Sequence, residues 1–474
     1  MDVTGQDTTE LSEKELLELE ADYCSYGDTV HYLQHPTIFA RCDGSWLYDM
    51  NDIAYLDFQM WYSAVNLGYR NTEIEAAHNR QMSRLPQVAS QYLHKEKILL
   101  AASIAQQTQK RFAREGRVHF NVGGSQAIED SIKLVRNYKK GKSLMFAFMG
   151  GYHGRTIAAT EITSSFRYRR RFGHFGNRAT FIPYPYCYRC FYGKRSDSLP
   201  TVAGRNQCQY ECVGQFERLF ETEYYGVIDK KDNEVEYAAF YIEPIQATGG
   251  YIIPPAGYFE RLCAVLKRYD ILLVDDEIQM GFYRTGKLWA IEHFGVQPDI
   301  VTFAKSLTNG LNPLSGLWAR QELINPQVFP PGSTHSTFSS NPLGTAAGLA
   351  VMQYMTKNDM EKTVAEKGQY LLSALRGLQR KYQVIGNVDG LGMALSVELV
   401  TPDGFTPDRA LTDRIFQEGM KGNIAVNGKK YGLVLDVGGY YKNIFTLAPA
   451  LTISWQDMDL FIMLFESLLQ RCTN

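Results

Sequence analysis

"DIVTFAKSLTNG", residues 299–310, is a short run of apolar and β-branched residues that ends on a lysine. Ile300, Val301, Thr302, Phe303 and Ala304 have the continuous hydrophobicity of a strand buried on both faces, as in a parallel sheet. Lys305 follows, then a turn built on Asn309 and Gly310. A lysine in such a place is ordinarily the first solvated residue of a loop. The alternative is a lysine held at the carboxyl end of an α/β sheet, where ligands bind, with its pKa lowered so that it can form a Schiff base. The rest of the chain decides between the two.

The same pattern recurs in RVHFNV (117–122), SLMFAFM (143–149), RATFIPY (178–184), YAAFYIEP (237–244), ILLVDDE (271–277) and LSGLWAR (314–320), with helical segments between. Together these runs predict an α/β fold: a large domain over residues 75–335 around a mainly parallel seven-stranded sheet. Residues 336–474 read as a smaller α+β domain. The N-terminal segment, 1–74, contributes to it with an amphipathic helix ended by Gly27 and a hairpin turning at Asp43-Gly44.

Across 474 residues, 49 Lys plus Arg balance 51 Asp plus Glu, which leaves no electrostatic footprint for nucleic acid or an anionic membrane. No stretch approaches a membrane span, and the acidic opening MDVTGQDTTELSEKELLELE lacks the order of a signal peptide. Eight scattered cysteines suit a reducing compartment, so the expected location is the cytoplasm.

Chemistry gathers at the strand ends. After VHFNV, Gly123 and Gly124 permit close backbone approach, Ser125 offers a hydroxyl, and Ile128, Ile132 and Val135 mark a helix whose N-terminus can hold a phosphate. The loop GGYHGRT places Tyr152 where an aromatic could cover a planar ligand. Asp275 and Asp276 close a run of aliphatics, and a carboxylate at a buried strand end needs a partner with a proton. A protonated pyridine nitrogen is one, with Ile278 to pack on the ring and Gln279 to bond its edge. A phosphate cradle, an aromatic lid, a ring-nitrogen carboxylate and a Schiff-base lysine are the parts of a pyridoxal 5'-phosphate site.

The chain also resembles the class III pyridoxal-phosphate-dependent aminotransferases of fold type I, from AYLDFQMWYSAVNLGY to FTLAPALTIS. The most specific stretch is LLVDDEIQMGFYRTGKLWAIEHFGVQPDIVTFAKSLTNGLNPLSG. The resemblance implies that Lys305 forms the Schiff base and that Asp276 keeps the pyridine nitrogen protonated. It likewise implies Ile278 on one ring face, Gln279 near the phenolic oxygen, Gly124 and Ser125 at the phosphate, Tyr152 as the stacking aromatic and Glu243 beside the ring oxygen. Thr337, in STFSSNP, would reach the phosphate of a neighbouring subunit, which implies a homodimer acting on a small amino donor and an oxo acid or carbonyl acceptor.

Two departures from that family bear on the substrate. Thr446 stands where members acting on α-amino acids often carry an arginine, and Thr248 where the arginine's acidic partner often sits. Both halves of an ion pair are replaced together, which avoids a lone buried charge. A pocket walled by Trp61, Tyr62 and Thr446 therefore suits an amine, a distal amino group, or a carboxylate held by another base. Ser339 and Ser340 also stand where glycines are usual. An isomerase on the same scaffold, such as an amino-acid or lactam racemase or an aminomutase, would use the same lysine and ring.

Cys187, Cys190, Cys208 and Cys212 have spacings open to a structural zinc site, a disulfide or a reduced cluster, and the family requires no metal. The basic run FRYRRRFG reads as a solvated or subunit-facing surface. His153 and His335 read as loop-packing or site-lining residues.

Overall fold

The computed structural model describes residues 11–473 apart from 28, 35, 170–171, 174–175, 177–178, 194–207 and 225. Its centre is a seven-stranded sheet. In chain order the strands are β1 (Gly116–Asn121), β2 (Leu144–Phe148), β3 (Ala179–Ile182), β4 (Tyr237–Ile242), β5 (Leu272–Asp276), β6 (Ile300–Phe303) and β7 (Ser315–Arg320). Their spatial order is β1-β7-β6-β5-β4-β2-β3, and only β7 runs against its neighbours. Every residue of β5 and β6 is buried, as continuous apolar runs covered on both faces require.

The covering helices follow from the same patterning. The helix Gly124–Tyr138 buries Ile128, Ile132, Leu134 and Val135, and it packs over β6 and β7. The helix Tyr258–Arg268 buries Tyr258, Phe259, Leu262, Val265 and Leu266 and packs against β5. Apolar stripes at helical spacing thus seal the sheet on which the site rests.

Two further sheets draw on the chain's ends. Ala54–Asp57 pairs in parallel with Lys429–Val434, with Asp57 opposite Val434. Phe39–Asp43 and Trp46–Asp49 extend that sheet as an antiparallel pair, turning through Gly44 at φ 55°. A four-stranded antiparallel sheet runs Ile385–Leu391, Ala394–Leu399, Ile444–Leu447, Asp436–Gly438. The first helix, Glu13–Tyr23, is closed by a Ser12–Glu15 capping box and ends at Tyr23, short of Gly27. Its C-cap, Cys24, is already extended, so the glycine takes no part in ending it.

One local conformation is unusual. Met60, Trp61, Tyr62 and Ser63 all adopt left-handed backbone, with φ of 44°, 52°, 56° and 64°. Such residues cost about 1–2 kcal/mol each. The turn is held from below by Asp57, whose carboxylate accepts from the amides of Gln59 and Met60 at 2.7 and 2.8 Å and from the Tyr69 hydroxyl at 2.7 Å.

Candidate active site

A cleft of about 330 Å³ opens at the carboxyl ends of the parallel strands. Gly124, Ser125, Tyr152, Glu243, Asp276, Ile278, Gln279 and Lys305 all line it, and Trp61 closes one side. This is where an open α/β sheet ordinarily receives its ligand.

The cradle begins where β1 hands over to the helix Gly124–Tyr138. Gly123 is the N-cap, and the Gln126 side chain accepts from the amides of Val122 and Gly123. A Cβ on Gly124 would sit 3.0 Å from Ile278 Cδ1, so the glycine lets that turn come down onto the Ile278 side chain. Across the cleft Gly154, at φ 127°, leaves room that a Cβ would take to within 2.2 Å of Ser125 Oγ. Free amides at a helix N-terminus and two glycine-cleared walls suit an anionic phosphate.

The acidic floor comes from β4 and β5. Period-two alternation sends Asp276 into the cleft and its neighbours Asp275 and Glu277 to the other face. Asp276 accepts from the Ile278 amide at 3.1 Å and the Thr302 hydroxyl at 3.4 Å, and its other oxygen lies 2.7 Å from His153 Nδ1. Burial works to lower the His153 pKa, but its bond to Asp276 and the charges of Asp276 and Glu243 raise it overall. The other ring nitrogen, Nε2, is buried and has no hydrogen-bond partner among the described residues. Burial pushes Glu243 up to about 7, against the pull of His153 and of the amides of Tyr152 and Ala247, each at 3.1 Å. Behind the strand, burial raises Asp275, helped by the charges of Glu277 and Asp276, and burial brings Glu277 to about 8 against the Ile291 and Ala290 amides that bond it.

Lys305 sits just beyond β6 in left-handed backbone, φ 41°. Its Nζ donates to Gln279 Oε1 at 2.6 Å, and the Gln279 amide nitrogen donates to the Tyr251 hydroxyl at 2.9 Å. Burial lowers the lysine from 10.5 to about 8, although the charges of Asp276, Glu243 and Asp436 oppose the shift. It is therefore no solvated loop lysine.

Three expected residues lie off the cleft lining. Thr337 is exposed beside Phe338. Its loop takes the left-handed conformation at Ser340, φ 50°, without a glycine, and the His94 ring secures the Ser340 carbonyl at 2.9 Å. Tyr62 sits on the left-handed turn next to Trp61, and Thr446 is buried in the strand Ile444–Leu447. The sequence reading missed His153 as the partner of Asp276, because 123 positions separate them and no motif joins them. Tyr251, behind Gln279, was missed for the same reason.

Cys190, Cys208 and Cys212 are free thiols, the Cys187 thiol lies 3.8 Å from the Pro185 carbonyl, and among the described residues no group of His, Cys, Asp or Glu side chains could hold a metal ion. Of the basic run, residues 170–171 lie outside the described residues, while Arg167 and Arg169 rest over the rings of Tyr32 and Phe181 at 4.3 and 5.4 Å. No described helix is long and apolar enough to cross a membrane.

The family model described as aminotransferase class-III matches residues 29–469. The chain belongs to the class-III aminotransferases. Among the relatives of this class-III chain, a leucine/methionine racemase of Thermococcus litoralis is 33% identical over 90% of this chain and 88% of its own. A 5-aminovalerate aminotransferase of Pseudomonas aeruginosa is 28% identical over 88% and 90%. An amine transaminase from an uncultivated Pseudomonas species, solved in its PLP-bound form, superposes with a TM-score of 0.81 at 27% identity, covering 95% of this chain and 98% of that one. The fold is that of fold type I transaminases and the cofactor is pyridoxal 5'-phosphate. The residues present fit that group: a glycine-cleared cradle, a buried carboxylate on β5, and an amine of lowered pKa.

Proposed function

We propose that the protein moves an amino group from an amine or amino acid to an oxo acid or carbonyl acceptor in two half-reactions, with Lys305 as the proton carrier. The observation that carries this reading is the Lys305 amine, held at 2.6 Å on Gln279 with a pKa of about 8 beside Asp276 and Glu243. Pyridoxal phosphate, when bound, supplies an aldehyde that captures the amino group and a ring that withdraws electrons from the substrate carbon. Lys305 would anchor it. An amine with a pKa near the working pH can also take a proton from the substrate carbon and give it back.

Asp276, backed by His153, would keep a proton on the ring nitrogen, and fixed charge of this kind contributes several kcal/mol. Gly124 and Ser125 would hold the phosphate, Ile278 and Tyr152 the ring faces, Gln279 the phenolic oxygen, and Glu243 the region beside it. Thr337 would reach the cofactor of a neighbouring subunit, which makes the working unit a homodimer. The exposed apolar side chains of Tyr92, Leu93, Ile98 and Phe338 support such an interface. Free thiols at Cys24, Cys42, Cys190, Cys208, Cys212, Cys263 and Cys472 suit a cytoplasmic location.

A second reading, racemisation, is favoured by the relationship to the Thermococcus racemase. The visible spectrum separates the two. Loss of the lysine-bound cofactor band on adding a donor without any oxo acid supports transamination. A band that persists while the substrate's α-proton exchanges with solvent supports racemisation instead.

A further inference from the structure

The strand Asp436–Gly438 lies between Thr446 and Thr248, the two threonines that stand in place of the family's ion pair. Asp436 is opposite Thr446 in the antiparallel register, and the Thr446 hydroxyl donates to its carboxylate at 2.7 Å. A Cβ on Gly438 would stand 3.0 Å from Thr446 Cγ2 and 3.5 Å from the Thr248 carbonyl, which accepts from the Gly439 amide at 3.0 Å. Where an arginine and its acid would sit, this chain presents two threonines and a carboxylate.

Asp436 lies off the cleft lining but beside its wall, near enough for its charge to act on Lys305. The Phe58 amide donates to the Val434 carbonyl at 3.0 Å, and the Ala448 amide donates to the Phe58 carbonyl at 2.7 Å. Segments 57–61, 434–436 and 446–448 therefore run side by side, and the first continues directly into Trp61, which lines the cleft. Gln59 and Thr446 bond the Asp436 carboxyl. Lys305 and Lys442 are the cations whose charge reaches it, and the acid Asp57 and the phenols of Tyr62 and Tyr251 feel its charge. No described Lys, Arg or His nitrogen comes within the 4.0 Å of an ion pair with it. A mostly enclosed carboxylate without a cation is costly, and a ligand that brings one relieves that cost.

We infer that Asp436 receives a second ammonium group of the substrate, so that the preferred amino donor is a straight-chain terminal diamine rather than an α- or ω-amino acid. The inference rests on the aminotransferase reading for its reaction but not for its binding. A carboxylate entering on the same side would meet a carboxylate, whereas a distal ammonium would form a charge-assisted hydrogen bond in a largely desolvated place.

The test compares kcat/KM of the loaded enzyme for a terminal diamine, the matching monoamine and the matching ω-amino acid, in the wild type and in Asp436→Asn and Asp436→Ser. The wild type is expected to favour the diamine over both. The diamine-to-monoamine ratio is expected to fall by about thirtyfold or more in the variants, as when one partner of a buried charged pair is lost. A wild-type preference for the ω-amino acid that Lys442→Met abolishes would overturn the inference, as would an unchanged ratio in both variants. Calorimetric binding of a tertiary diamine, which carries the charges but no transferable amino group, reads the same contact without turnover. If it binds the wild type and not the variants while no amine bleaches the cofactor band, Asp436 stands and the aminotransferase reading falls. If amines bleach the band but the tertiary diamine binds all three proteins alike, the inference falls alone.

Discussion

The lowered pKa of Lys305 can be measured through its reaction with the cofactor. Taking the amine from 10.5 to about 8 corresponds to about 3 kcal/mol against its charged form. At about pH 7.5 an ordinary lysine is about one part in a thousand neutral, and Lys305 would be about a quarter neutral, a reactivity gain of more than about a hundredfold. Mixing cofactor-free enzyme with excess pyridoxal phosphate in a stopped-flow instrument, from about pH 6 to about pH 10, should give a rate that climbs with pH and levels off near about 8. Asp276 and Glu243 both oppose the shift, so removing a charge from the pair should lower the midpoint further. Glu243→Gln is expected to move it down. Lys305→Ala should show no such phase. A rate that climbs without levelling through about pH 10, or a Glu243→Gln midpoint that moves upward, would refute the assignment of burial as the dominant cause.

In steady-state assays, Lys305→Ala is expected to retain cofactor by equilibrium dialysis and to lose turnover by several orders of magnitude, as removal of a proton-carrying group does. Gly154→Ala should weaken pyridoxal phosphate binding in a fluorescence titration, because its Cβ would collide with Ser125 Oγ. His153→Phe leaves Asp276 with only the Ile278 amide and the Thr302 hydroxyl, so the cofactor-free enzyme should lose about 3 kcal/mol and the loaded enzyme less. Differential scanning of the two forms measures that gap. Arg189 is paired with Glu398, which Tyr186 and Asn443 also bond, and all four are largely buried. Arg189→Met should cost about 3–5 kcal/mol in urea unfolding, and adding Glu398→Gln should restore part of it.

The seven strands were legible because each is a nearly continuous apolar run, and that signal depends only on burial of both faces. The direction of β7 was not. LSGLWAR looks the same in either orientation, and the reversal is made by the turn at 304–314, which passes through left-handed backbone at Asn309 and Gly310. Cleft-lining residues at strand ends could be read in order because each strand delivers its last residue to one edge. Partners of those residues could not, since His153 and Asp276 meet only through the fold. Thr446 was conspicuous as an absent arginine. Asp436 was invisible beside it, ten positions upstream in a three-residue strand without a motif.

The left-handed turn at Met60–Ser63 gives one wall of the cleft an uncommon energetic character. Trimming a large side chain normally costs stability according to how much buried volume it vacates. Trp61 is 57% exposed and sits at φ 52°, so replacing it with glycine gives up little packing and releases conformational strain, offset in part by glycine's greater freedom in the unfolded chain. Widening of the pocket and relaxation of the loop are thus coupled at a single position. Drift in substrate size there is opposed only by selection for the substrate, with little resistance from folding.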